Sequence, residues 1–346
     1  MIEDKQLLSS FEAKGETEIE FLNSLQELWA KEKKEGDPEL KFSFVFGHHL
    51  SPGDLNKVKV KIKEADVFIP EGFGWDQQSL DTWRQLSGGV LSAEKLEKSH
   101  EKAYSDFKTD RKFFFLREMI KVLERAGKKI TFIDTEINNP LVIVQNLLNT
   151  TSVREFSQIK DFEGKKENVK QRLQNLSVIS HGRENYMLQQ LPVKIRELLD
   201  ANPDLRKKPE VKILFFLGAN HTPVYHTMKK LAPEDTEEDF STYPLIFSFY
   251  DEAARRIRFN KQASLSEELL ARVVLELDFW NYLSRGVNEI LKQSNSNELT
   301  TKVRSIIELF SLEEIKNIYE NIAKRKKFRD ILLEKCKQKG IDMKGF

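Results

Sequence analysis

The run VKILFFLGAN (211–220) limits most what this chain can fold into. A strand with one face in water alternates apolar and polar residues. A near-continuous apolar run needs burial on both faces, as in a sheet covered by helices. ADVFIPEG (65–72) and KKITFIDTE (128–136) read the same way, and KFSFVFG (41–47) alternates before it turns hydrophobic. Helical patterns separate these runs. Ser51, Pro52 and Asp54 suit a helix start, although the Val and Ile alternation with Lys that follows would also suit a strand. DRKFFFLREMIKVLERAG (110–127) has helical spacing with Gly127 as its stop. Residues 165–201 read as helix, with an interruption near Ser180-His181-Gly182 and another at Pro192. This alternation predicts an α/β fold: a central mostly parallel or mixed sheet covered by helices.

Beyond about residue 262 the strand signal ends. Ser264 with Glu267, and Ser311 with Glu314, have capping-box spacing ahead of long amphipathic runs. The expected organisation is a helical N-terminal segment (1–40), an α/β core carrying the site (41–260) and an all-helical C-terminal extension (261–346). The apolar stripe around Phe279, Trp280 and Tyr282 must be buried, against the chain's own core or against a partner or second copy.

Composition removes several classes. Fifty-six basic and 55 acidic residues leave a net charge of +1, so no basic excess marks a nucleic-acid binder. The single cysteine, Cys336, allows neither an internal disulfide nor a cysteine-based structural zinc site. No apolar run is long enough for a signal peptide or a membrane span, so the expectation is a soluble, cytoplasmic chain. The phosphate-binding GxxxxGK[ST], the dinucleotide GxGxxG, HExxH and GxSxG are all missing.

Chemistry then has to come from position. The four strand-like runs lead into Gly47-His48-His49, Glu71, Asp134 (with Glu136 two residues on) and Gly218-Ala219-Asn220-His221. In α/β sheets the functional crevice lies beyond the carboxyl ends of the strands, so parallel neighbours would gather these side chains on one rim. Two imidazoles and two carboxylates can bind a divalent metal or serve as acid and base. His100 and His226 read as exposed, His181 as a turn residue or a neighbour of the site, and the basic run 324–328 as the solvated face of the last helix.

With these residues set out, the chain resembles the TraB/Tiki/erythromycin-esterase-like superfamily over about residues 42–230. Gly218, Ala219, Asn220 and His221 match a G-x-x-H motif after a strand, and Glu71 matches the family glutamate. Arg183, Glu184, Asn185 and Met187 resemble its arginine-containing helix. The first histidine motif departs from the pattern: three residues before His49 stands Phe46, and the glycine is Gly47, so His48 is the alternative to His49.

The resemblance implies an α/β core and a hydrolase acting on a small-molecule or peptide substrate. In the metal-dependent form, His49, Glu71 and His221 hold one Mn, Co, Fe or Zn ion. Arg183 then stabilises an oxyanion, and Asp134, Asn185 and Asn220 meet substrate. In the metal-free form a histidine is the general base, oriented by Glu71 or Asp134. A third reading is a non-catalytic binding protein that uses its C-terminal helices for a partner.

Overall fold

The computed structural model describes residues 18–47, 52–104, 107, 113–240, 248–259, 265–286, 296–323 and 327–341. The chain divides into two compact units: Met1–Val144 with Ser180–Tyr243, and Gln145–Ile179 with Pro244–Phe346. The α/β architecture with a helical C-terminal region is as the apolar runs predict. The helical unit takes in residues 145–179 and begins again at Pro244.

The first unit is built on a five-stranded sheet of β1 (Glu39–Gly47), β2 (Val67–Pro70), β3 (Lys129–Ile130), β4 (Glu210–Gly218) and β5 (Thr236–Phe240). The order is β3-β2-β4-β1-β5 and every pairing is parallel. Because side chains alternate along a strand, the central strands β1, β2 and β4 each feed two cores. Phe42, Phe44, Phe46, Ile213, Phe215 and Leu217 face one side, whereas Val45, Leu214, Phe216 and Phe68 face the other. Phe44 and Phe215 stack across the β1–β4 pair with ring centroids 4.3 Å apart.

On the first face lie α1 (Glu18–Glu32), the C-terminal part of the long helix α7 (Phe162–Ala201), and α8 (Thr222–Leu231). On the second lie α2 (Pro52–Lys61), α3 (Gln77–Ser87), α4 (Ala93–Ala103) and α5 (Phe114–Leu123). The ambiguous Lys-Val alternation resolves as helix: Leu55, Val58 and Ile62 are buried at helical spacing, while Val60 is left exposed.

Three local expectations change. The strand predicted over 128–136 is only Lys129–Ile130, because β3 is an edge strand paired with just two residues of β2. Beyond it, the Trp75 indole donates to the Asp134 carbonyl and Ile137 N–H donates to the Trp75 carbonyl, so loop contacts replace the ladder. The break expected near Gly182 and Pro192 is also missing: α7 runs unbroken from Phe162 to Ala201. Leu188, Leu191, Ile195, Leu198 and Leu199 bury one stripe of it against the sheet, which offsets the hydrogen bond that Pro192 cannot make. Gly182 has a packing role, since a Cβ there would sit 3.1 Å from the Leu141 side chain on α6 (Pro140–Gln158). Finally, the DRKFFFLREMIKVLERAG helix is shorter than its pattern, ending at Leu123 before Arg125 turns to φ 56°.

The helical unit has its own core, built around α9 (Phe249–Phe259), α10 (Glu267–Gly286), α11 (Ser296–Glu308), α12 (Leu312–Ala323) and α13 (Phe328–Gln338). The α10 stripe, including the fully buried Phe279 and the partly buried Trp280, is covered by this core. Ser311 and Glu314 form the expected reciprocal capping box. On α10 the cap is Ser266, whose hydroxyl accepts from Leu269 N–H; Ser264 lies outside the described residues. Among the described residues no helix is long and apolar enough to cross a membrane.

Candidate active site

Parallel pairing decides which strand ends meet. Strand β4 inserts between β1 and β2, so Gly218 is level with Gly47 on one side, and on the other Pro70 lies opposite Phe216, two residues before Gly218. The Glu71 N–H extends the ladder to the Phe216 carbonyl, and Glu71 Oε2 turns back to accept the Gly218 N–H at 2.7 Å. Gly72 makes this path possible, because a Cβ there would stand 2.4 Å from the Phe132 ring. After Gly218 the chain enters one turn of 3-10 helix, Ala219–His221, which aims the buried His221 ring back at Glu71.

Helix α7 supplies the other half. Arg183 and Glu184 lie on the stripe that continues as Met187, Leu188 and Leu191, so both charges are buried. Arg183 donates through Nη2 to Asp134 Oδ2 at 2.6 Å and Glu71 Oε1 at 3.3 Å, and through Nε to Asp134 Oδ1 at 3.2 Å. The Phe73 ring covers the guanidinium at 4.3 Å. Burial opposes the charged form of Arg183, but Asp134 and then Glu71 outweigh it and hold the group above the ordinary arginine range. Glu184 Oε1 lies 3.1 Å from His221 Nδ1, while Nε2 on the other edge of the ring lies 3.3 Å from Glu71 Oε1.

The result is a continuous chain of polar contacts, Glu184–His221–Glu71–Arg183–Asp134. Its accessible member is Glu71, with a side chain 20% exposed against 5% for His221 and 1% for Asp134. Asp134, which also accepts from Thr135 N–H, is buried and anchors Arg183. A groove of about 320 Å³, lined by Trp29, Phe42, Leu199 and Met228 among others, opens beside the amino-terminal end of β1 and includes none of these five residues.

Of the residues predicted from sequence, the structure brings together Glu71, Asp134, Arg183 and His221. Asn220 is exposed in the turn before His221, and Asn185 is half-buried, 3.4 Å from the exposed His181 one turn back. His48 and His49 lie outside the described residues. His226 is exposed, and His100 stacks on Phe107. Sequence reasoning named Glu184 and Gly218 only as motif residues without a role, and it did not single out Phe73, which covers the Arg183 guanidinium. The available signal for Glu184 was a charged pair standing in the apolar stripe of a helix, which demands buried partners.

A metal fits the described residues poorly. Among them no group of three or more His, Cys, Asp and Glu is arranged to hold an ion. The Arg183 guanidinium stands between Glu71 and Asp134, so these two carboxylates do not share an ion, while the expected set of His49, Glu71 and His221 includes His49, which lies outside the described residues. Glu71 Oε2 is further committed to a backbone N–H. Comparison with protein-family models, curated proteins and solved structures finds no match to this chain.

Proposed function

We propose that the chain is a hydrolase of carboxylic ester or amide bonds whose acid–base work is done by the Glu71–His221 pair without a metal. One observation carries the reading: His221 lies between two carboxylates, with Glu184 on Nδ1 and the partly exposed Glu71 on Nε2. A buried carboxylate on one ring nitrogen fixes the ring's orientation and leaves the other nitrogen for chemistry. A water held at the exposed edge of Glu71 passes its proton to the Glu71–His221 pair as its oxygen attacks the carbonyl carbon. The pair returns that proton to the departing alcohol or amine, so water is consumed and acid and leaving group are released. Arg183 and the Gly218 N–H hold Glu71 in position. With Nε and Nη2 committed to carboxylates, Arg183 acts here as a clamp in place of the oxyanion donor expected from sequence.

The test is hydrolysis of a panel of chromogenic esters and anilides by the full chain, with and without chelator. Activity should survive chelation and fall by about a hundredfold or more in His221→Ala and Glu71→Gln, with circular dichroism unchanged. Glu184→Ala should lower kcat with little change in KM. Undiminished turnover by folded His221→Ala would remove the proposal.

The metal-dependent reading keeps one support: the same rim gathers an imidazole and three carboxylates, beside strand β1, whose sequence continues into His48 and His49. It requires Glu71 to exchange Arg183 for an ion. Metal content after exposure to Mn, Co, Fe and Zn decides it. A stoichiometric ion that is lost in a folded His49→Ala, His221→Ala variant would favour this form over the metal-free one.

A further inference from the structure

The groove beside the amino-terminal end of β1 has a buried acceptor in its wall that receives no hydrogen bond. Its sides come from α1, β1, α7 and α8, and most of the lining is apolar, including Trp29, Phe42, Ile195, Leu199 and Met228. Trp29 and Phe42 meet edge to face with ring centroids 5.9 Å apart. Asp37, in the connection from α1 to β1, also lines the groove, and its side chain is only 6% exposed. Its Oδ2 is in full use, accepting from Arg196 Nη1 at 2.7 Å and from the Lys34 N–H at 2.8 Å. Its Oδ1 is buried and, among the described residues, accepts from no group. The Arg206 guanidinium stands 3.5 Å from it without donating.

Native structures leave few buried acceptors without a donor, and a ligand that supplies one gains most at such an atom. What Asp37 Oδ1 lacks is a donor and not a positive charge, because Arg196 and Arg206 already stand beside the carboxylate. At about 320 Å³ the groove is at the small end of ligand pockets, and it has their usual make-up of apolar walls with a few polar groups. We infer that it binds a small neutral molecule with a flat apolar body and one N–H or O–H donor. The body lies against Trp29 and Phe42, and the donor meets Asp37 Oδ1. Glu71 and His221 are at the opposite end of the strands, so this ligand is not the substrate of the proposed hydrolysis, and the inference does not rest on that reading.

The test uses indole, which has such a body and one N–H, and 1-methylindole, which keeps the body and lacks the donor. In calorimetric titration of the full chain, indole should bind about tenfold tighter or more, as a hydrogen bond to a buried carboxylate demands. Its affinity should change little as salt rises, since no ion pair forms. Ala30→Trp puts a large side chain on the groove wall from an exposed position of α1, where the fold stands, and should remove most of the indole binding. Circular dichroism of that variant should match the parent. Equal affinity for the two indoles, or no binding of indole, overturns the inference. So does binding that persists undiminished in folded Ala30→Trp. Tighter binding of tryptamine, the same ring carrying an ammonium, would also overturn it, because the site would then select a cation.

Discussion

Arg183 Nη2 lies 2.6 Å from Asp134 Oδ2, and the two side chains are 8% and 1% exposed. The pair joins the middle of a 40-residue helix to a loop beyond an edge strand, and Glu71 at the end of β2 depends on the same guanidinium. Removing the arginine leaves a buried carboxylate without its counter-charge. Arg183→Met should therefore cost about 3–5 kcal/mol, read from urea unfolding of the full chain. Adding Asp134→Asn to that variant should recover part of the loss, because the uncompensated charge goes with it. A single variant within about 0.5 kcal/mol of the parent would show that the pair is not needed for stability.

Gly72 controls the approach of the Glu71 loop to Phe132. Alanine there places a methyl carbon 2.4 Å from a ring carbon, inside any real contact distance. Gly72→Ala should destabilise by about 1–3 kcal/mol through overpacking and displace Glu71 from the Gly218 N–H. Phe132→Leu in the same chain should restore part of the stability by vacating the ring position. Thermal unfolding of the two variants decides the point.

Glu276, on α10, is buried with both oxygens accepting from the first N–H groups of α9, those of Phe249 and Tyr250. Burial is the main cause that raises its carboxyl from 4.5 to about 7, with the two backbone donors working the other way. The folded form thus holds its proton more tightly than the unfolded chain. The stabilisation is complete below 4.5 and is lost as pH rises through about 7. Stability of the helical unit should fall by on the order of 3 kcal/mol between pH about 5 and about 8, with faster exchange of the Phe249 and Tyr250 amides. Glu276→Gln should flatten that dependence, and an equally steep profile in this variant would assign it to other groups.

Cys336 is fully buried, and burial pushes its thiol up to about 11. Little thiolate forms near neutrality, and the sulfur is out of reach of reagents. A thiol-specific disulfide reagent should leave the folded chain unmodified over a time in which the unfolded chain reacts completely. The rate of labelling then reports opening of the helical unit.

The sequence by itself determined the fold class. Continuous apolar runs such as ILFFL at 213–217 can be satisfied only by burial on both faces, and that requirement is local. It also placed Glu71 and His221 at strand ends, because the change from apolar to polar marks where a strand leaves its sheet. The 128–136 run misled because strand length depends on the neighbour, and β2 offers β3 only two partners. Strand β5, TEEDF, carried no apolar signal: its ladder is templated by β1. The continuity of α7 through Gly182 and Pro192 was decided by packing, which outweighs propensity once a stripe of leucines has a sheet to cover. Only the tertiary structure assembled the site. Insertion of β4 beside β2 brings Glu71 to His221 across 150 positions, and a helix from a third part of the chain adds Arg183 and Glu184. Strand order and the direction of a helical stripe are set by which surfaces fit together, and no short stretch of residues encodes that.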